Sequence, residues 1–402
     1  MIETLTLPSH VSPALVRDID ISNLEGGEPD AVAAWGKVQQ ESPDIFYAPA
    51  YGGYWVATRK ALFDIALSDP VVFSSRCGPN IPPLPPEVPP FGPLMSDPPE
   101  HRFFRMPLNV ALSPPRVRDL AVRAREVVIE RLDSFYEKGE CEFMHDMAMH
   151  VPVAIVMQIF DLPFSDRTRL IPLVDIITHS EDLAKRAEAI EGVMIYADEW
   201  VTRREQQPGN DAISALIANR IDDRPATHQE VVATLTVLLL GGLDSVSHTM
   251  GVIMRFLAEN PGHQRQLAEN PDLIPEALDE LLRRHAISMT VRQLTQDYEL
   301  GGVQMKAGDR ILLPLPVTSL DDRVWDNPLE VDFARRPKDI MNFGKGIHKC
   351  VGLNLARAEL TALLQEWFKR IPSFSIKPGD RPATTTGQIL GVVHLPLSWP
   401  VR

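Results

Sequence analysis

The sequence predicts a mainly helical α+β protein folded as one unit over residues 1–402, and three observations carry that reading. Runs with helical periodicity fill most of the chain from Asp97 to about residue 285. Strand signals, in which alternating apolar residues lie between glycine turns, gather towards the two ends. No internal repeat and no convincing linker divides the chain.

Composition sets the outer limits. With 44% hydrophobic and 23% charged residues the chain falls among ordinary globular proteins and can bury a large core. A net charge of -14 argues against non-specific attraction to nucleic acid or an anionic membrane. Cys77, Cys141 and Cys350 are odd in number, far apart and without a C-x-x-C pair, which fits a reducing compartment. The start, Met1-Ile-Glu-Thr-Leu-Thr-Leu-Pro8, has neither a basic region nor a long apolar run, so a cytoplasmic protein without an N-terminal anchor is expected.

Taken in chain order, Ile45 to Tyr47 and Tyr54 to Thr58 flank an Ala50-Tyr-Gly-Gly53 break and predict a short hairpin. Between Pro79 and Pro99 ten of twenty-one residues are proline, which excludes regular helix there. The run is either a linker or, because it also holds Leu84, Val88 and Phe91, a stiff loop packed on the body. Helices are predicted over Val117 to Tyr136, Ala184 to Gln206 and Gln229 to Glu259. Strands return over Tyr298 to Leu313 and Gly391 to Leu397.

The helix from Gln229 is bounded by a Thr227-His-Gln-Glu230 capping box and an Asn260-Pro261 stop. Thirty residues span roughly 45 Å, enough to cross the domain. Its apolar stretch from Val231 is interrupted at Asp244 and reads as too short for a bilayer, so a core helix is expected. Gly241 and Gly242 stand at its centre, each costing about 1 kcal/mol relative to alanine, followed by Asp244 and Ser245 among apolar neighbours. Close helix packing would account for them. So would a ligand seated against the glycines, with a carboxylate and a hydroxyl at hand to move protons.

Near the other end, Phe343-Gly-Lys-Gly-Ile-His-Lys-Cys-Val-Gly352 precedes an amphipathic helix whose buried side is expected to carry Leu353, Ala356, Leu360, Leu363, Leu364 and Trp367. A cysteine at a helix start is biased towards thiolate, the form that binds metal or attacks an electrophile.

This F-G-x-G-x-H-x-C-x-G pattern resembles the haem-binding loop of the cytochrome P450 family. The likeness runs from Ser96-Asp-Pro-Pro-Glu-His101 through the long helix to Gly391-Val-Val-His-Leu-Pro-Leu397, with the bacterial camphor hydroxylase group as its model. The resemblance implies a P450-like fold, with the long helix over haem b and Cys350 as the iron's axial ligand beneath it. In that setting Gly344 and Gly346 permit the turn, Phe343 shields the sulfur, and Gly352 and the glycines Gly241 and Gly242 lie against the cofactor. His101, Arg105, Arg292 and His348 would hold the propionates. Glu280-Leu-Leu-Arg283 matches the family's E-x-x-R, joined by Arg335 as a structural network.

Asp244 and Ser245 match the acid and alcohol that deliver protons to dioxygen, although threonine is usual where Ser245 stands. Serine keeps the hydroxyl and loses the methyl that restricts its rotamer, which bears on coupling. His179 falls roughly where the family offers a partner to the acid. Phe91, Val237, Leu240, Ser288, Gln388 and Ile389 would line a pocket for a compact hydrophobic substrate such as a terpenoid or norisoprenoid. Pro89 stands where the camphor enzyme has its ketone-binding tyrosine, which makes camphor itself doubtful.

Two electrons per turnover would come from a [2Fe-2S] ferredoxin and its reductase, docking on Lys345, Lys349, Arg105 and Arg357. Nothing requires more than a monomer. The competing readings are a peroxide-driven enzyme or haem sensor, a thiol hydrolase using Cys350 and His348, and a helical scaffold without chemistry.

Overall fold

The computed structural model describes residues 7–21, 23–83, 90–179, 182–221 and 224–401. It is mainly helical, with small sheets. The predicted hairpin forms, pairing Ile45–Ala48 antiparallel to Tyr54–Ala57 with Phe46 opposite Val56. All eight residues of the two strands are buried, because the sheet is covered on both faces.

That hairpin opens a five-stranded sheet. Arg310–Pro314 adds parallel to Tyr54–Ala57 and antiparallel to Met289–Leu294, with Ile311 opposite Arg292. Phe73–Ser74 closes the far edge. A three-stranded sheet joins Ser375–Ile376, Pro396–Ser398 and Glu140–Glu142, so the C-terminus is paired to the middle of the chain. The short strand Glu140–Glu142 and the π-helix Met144–Ala148 interrupt a stretch whose periodicity predicted helix alone.

The central helix, His228–Glu259, starts at the expected capping box, with the Thr227 side chain accepting from the Glu230 N–H and Glu230 reaching back to the Thr227 N–H. By length and composition it is apolar enough to cross a bilayer, which corrects the expectation that it falls short. About half of that apolar stretch is nevertheless buried inside the protein. Leu235 and Leu239 pack with the helices His150–Ile159 and Leu183–Gln206, while Met250, Ile253, Met254 and Leu257 join the main core with Pro114–Phe135 and Leu353–Arg370. A helix apolar on most of its circumference needs partners on most of its circumference, and here protein supplies them.

The helix after the cysteine, Leu353–Arg370, buries Leu360, Leu363, Leu364 and Trp367 as expected, while Leu353 and Ala356 are only half-buried. Leu355 and Glu359 take their place because the buried face is turned by about one residue. No helix or strand occupies the described part of the proline-rich run. Its far end is no free spacer, since Phe91 and Met95 pack on Ala233 of the central helix. Leu84, Val88 and Pro89 lie outside the described residues.

Candidate active site

The cysteine loop is a closed turn. The Cys350 N–H donates to the Phe343 carbonyl at 2.8 Å, and the Gly344 N–H to Met341 at 2.8 Å. Gly344 and Gly346 have φ of 70° and 68°, the left-handed region that a side chain disfavours. At Gly346 a Cβ would also stand 2.1 Å from the Leu67 carbonyl oxygen, so no other residue fits.

Cys350 keeps free surface although it is set deep in the protein, which means that its sulfur faces an internal opening. Burial pushes its thiol up, while the Gly352 and Leu353 N–H groups and the Arg105 guanidinium pull the other way. Donors aimed at a buried sulfur suit a thiolate whose charge is shared with a metal.

Beside the loop, cations converge. The His101 and His348 rings meet edge to face with centroids 4.6 Å apart, and the Nε2 of each is buried without a hydrogen-bond partner. Arg292 is buried in its strand, donating to Thr290 Oγ1 at 2.9 Å and to the Val291 carbonyl at 2.8 Å. Arg105, on Glu100–Ala111 with His101, reaches the Lys349 carbonyl.

The electrostatics mark this cluster as incomplete. Burial, followed by the like charges of Arg292, His101 and Arg105, pushes the His348 imidazole down to about 3. Burial brings Arg292 down to about 10 and lowers His101 as well. Asp97 opposes the shifts at His101 and Arg292, but its oxygens already accept from Ser74 and the Ser75 N–H. Two orphaned imidazole nitrogens and two guanidiniums call for a dianion, and the paired propionates of a haem supply one. The residues present fit the group.

On the other side of the opening is the centre of the long helix, where the two glycines part company. A Cβ on Gly241 would meet nothing within 4 Å, whereas one on Gly242 would stand 2.7 Å from Val156 Cγ2. Gly241 therefore leaves room for a ligand, and Gly242 answers to helix packing, the plainer of the two explanations the sequence offered. The Ser245 hydroxyl donates to the Gly241 carbonyl at 2.9 Å. With its proton committed there, its lone pairs stay available to accept.

Asp244 pairs with a residue that sequence reasoning passed over. Its Oδ1 lies 3.1 Å from Nε2 of His248, one turn further along the same helix. The i, i+4 spacing was a legible signal. The side chain of His179, the partner expected for this acid, lies outside the described residues.

Glu280, Arg283 and Arg335 come together. Arg283 makes two bonds of 2.8 Å to the Glu280 carboxylate, Arg335 adds one of 3.0 Å, and both Glu280 and Arg283 side chains are 0% exposed. The remaining Arg283 protons go to the carbonyls of Ser319, Pro328 and Glu330, so the network is saturated.

The expected substrate residues form two groups. Phe91 and Val237 share an apolar cluster with Met95 and Ala233. Ser288 and Ile389 bridge two segments, and Gln388 donates to the Met289 carbonyl at 2.7 Å while its Oε1 is buried without a donor. Leu240 instead packs towards the cluster built by the helices between residues 150 and 217. The expected basic docking spot is also weaker than its letters, because Lys345 is paired with Asp64 and Arg357 with Asp279. In a chain carrying 54 acidic and 40 basic side chains, exposed cations find carboxylates close by.

Comparison with known proteins agrees with this geometry. The cytochrome P450 family model matches residues 152–399. Probable cytochrome P450 127A1 of Sinorhizobium fredii is 32% identical over 99% of this chain and 98% of its own length. The crystal structures of CYP101C1 and CYP101J2 superpose with TM-scores of 0.90 and 0.88 at 32% and 33% identity, each over 98% of this chain and all of the other. The chain belongs to the cytochrome P450 family. It is a monooxygenase that uses haem with a cysteine thiolate ligand, and it resembles the camphor hydroxylase type of bacterial members.

Proposed function

We propose that this chain hydroxylates a compact hydrophobic substrate of the terpenoid or norisoprenoid class, taking two electrons from a [2Fe-2S] ferredoxin served by its reductase. The observation that carries the substrate reading is the apolar cluster of Phe91, Met95, Ala233 and Val237. Val237 stands one helical turn before Gly241, so apolar surface leads directly to the open space at the glycine. Such a lining rewards a rigid apolar molecule and gives a charged one no partner. The buried Gln388 Oε1 is an acceptor suited to a single hydroxyl.

Haem held by a thiolate supplies dioxygen binding and O–O cleavage. Cys350 would hold it from below, with His101, Arg105, Arg292 and His348 on the propionates. Asp244 and Ser245 move the protons. The acid has a side chain 23% exposed and can refill from water, and the Ser245 hydroxyl, its own proton held by the Gly241 carbonyl, accepts a hydrogen bond on the delivery path. One oxygen atom enters a C–H bond and the other leaves as water, with two electrons and two protons consumed.

The ferredoxin reading rests on the camphor hydroxylase resemblance and on Arg105 and Lys349, which meet beside Cys350. The widely separated, unbridged cysteines support a cytoplasmic protein, which we take to act as a monomer.

Two measurements test this. Small terpenoids should move the Soret band of the oxidised protein to its substrate-bound position at micromolar concentration, and a panel in which only long-chain or charged compounds did so would end the substrate reading. Product should form with ferredoxin, reductase and NAD(P)H. Efficient turnover with peroxide alone would defeat the electron-transfer reading.

A further inference from the structure

His248 is more constrained than a core histidine needs to be. Its Nδ1 lies 3.1 Å from the carbonyl oxygen of Val392, on the strand Gly391–His394, and its Nε2 lies 3.1 Å from Asp244 Oδ1. A carbonyl can only accept, so Nδ1 bonds to it by carrying a proton. Nε2 is then the one ring atom left to respond to the acid. One proton lies between Nε2 and Asp244 Oδ1 at 3.1 Å, on one atom or the other. Either way a single proton is shared between the two side chains.

The strand holds the ring in that pose. A Cβ on Gly391 would stand 2.1 Å from Nδ1 and 2.5 Å from Cγ of the imidazole, so only glycine lets the backbone approach this closely. A strand far away in sequence thus clamps the ring, and the ring faces the acid. Burial assigns the division of labour. His248 is 2% exposed whereas the Asp244 side chain is 23% exposed, so water reaches the carboxyl and not the imidazole.

We propose that His248 is the positioning residue for Asp244: clamped by Gly391 and Val392 as the Nδ1–H tautomer, it fixes the rotamer of the acid and shares its proton while the acid alone exchanges with solvent. The inference rests on the acid and alcohol roles proposed above. A merely structural histidine would staple helix to strand and leave proton delivery untouched.

The test compares His248→Phe, which keeps the ring shape without either bond, with His248→Gln, whose amide N–H can reach Asp244. In the haem-loaded protein His248→Phe should lower product formed per oxygen consumed by about tenfold, with the balance appearing as peroxide, and His248→Gln should restore most of it. Wild-type coupling in His248→Phe, or a His248→Gln no better than His248→Phe, overturns the proposal. Ring-nitrogen NMR of 15N-histidine protein in the diamagnetic, reduced carbon monoxide complex reads the tautomer without turnover, and needs no variant at 248 to fold. A protonated Nδ1, and an Nε2 resonance that moves in Asp244→Asn, support it; an unprotonated Nδ1 overturns it. Asp244→Asn assayed in parallel separates the two levels. Unchanged coupling there removes the acid's role and this inference together, whereas impaired coupling in Asp244→Asn with normal His248→Phe removes His248 alone.

Discussion

The two sides of the opening are built on opposite principles. Beneath it, the cysteine turn belongs to a side of the fold stiffened by a saturated network in which Glu280 and Arg283 are fully buried, Arg335 joins half-buried and every Arg283 nitrogen is engaged. Above it, the central helix carries a glycine beside open space, a serine bonded to the Gly241 carbonyl and a partly exposed acid. The first region holds one arrangement against disturbance. The second exchanges protons with water, and it can do so only by remaining partly open.

Variants can sharpen or break that contrast. The largest effect is expected at the sulfur, where Cys350→Ser should abolish the strongly red-shifted Soret band of the reduced carbon monoxide complex; a retained band would remove Cys350 as ligand. Glu280→Gln leaves the buried Arg283 and the half-buried Arg335 guanidiniums without their anion, and should cost about 3–5 kcal/mol in chemical unfolding. A loss below 1 kcal/mol would mean that the lower side is no more rigid than the upper.

On the upper side stability should barely move while chemistry does. Asp244→Asn should slow product formation by about a hundredfold with a near-normal melting temperature. Ser245→Ala should keep consuming oxygen while sending more of it to peroxide, and unchanged coupling would take Ser245 out of the mechanism.

A pH-dependent effect concerns Glu359, on the helix that follows the cysteine. Burial alone raises its carboxyl from 4.5 to about 8. The folded state therefore holds a proton that the unfolded chain has released, so this group lowers stability progressively as pH rises from 4.5 to about 8 and adds no further slope above that. Glu359→Gln should remove up to about 1.4 kcal/mol per pH unit of that decline. Parallel stability profiles for the two proteins would show that the carboxyl is solvated.

Much of this was legible in the letters. Periodicity and caps located the long helices, and glycine and proline marked the breaks. The ten-residue cysteine loop was readable because its constraints are local: two glycines at positive φ, a sulfur bonded through its backbone to Phe343, and a helix start at Leu353. Glu280 and Arg283 could be paired from spacing alone, since three residues make one helical turn.

The rest depended on what lies across the fold. Spacing put His248 one turn from Asp244, but the acceptor facing its other nitrogen is the Val392 carbonyl, which chain order places 144 residues away. Gly241 and Gly242 are the same residue twice, and only Val156 separates open space from packing. Lys345 and Arg357 read as free basic charge until Asp64 and Asp279 came beside them. The sequence by itself determined the helices, the turn that carries the cysteine and the family, because these follow from interactions among near neighbours in the chain. Which polar group meets which, and which glycine faces emptiness, was decided by the tertiary structure, because such contacts depend on distances between segments that no local preference encodes.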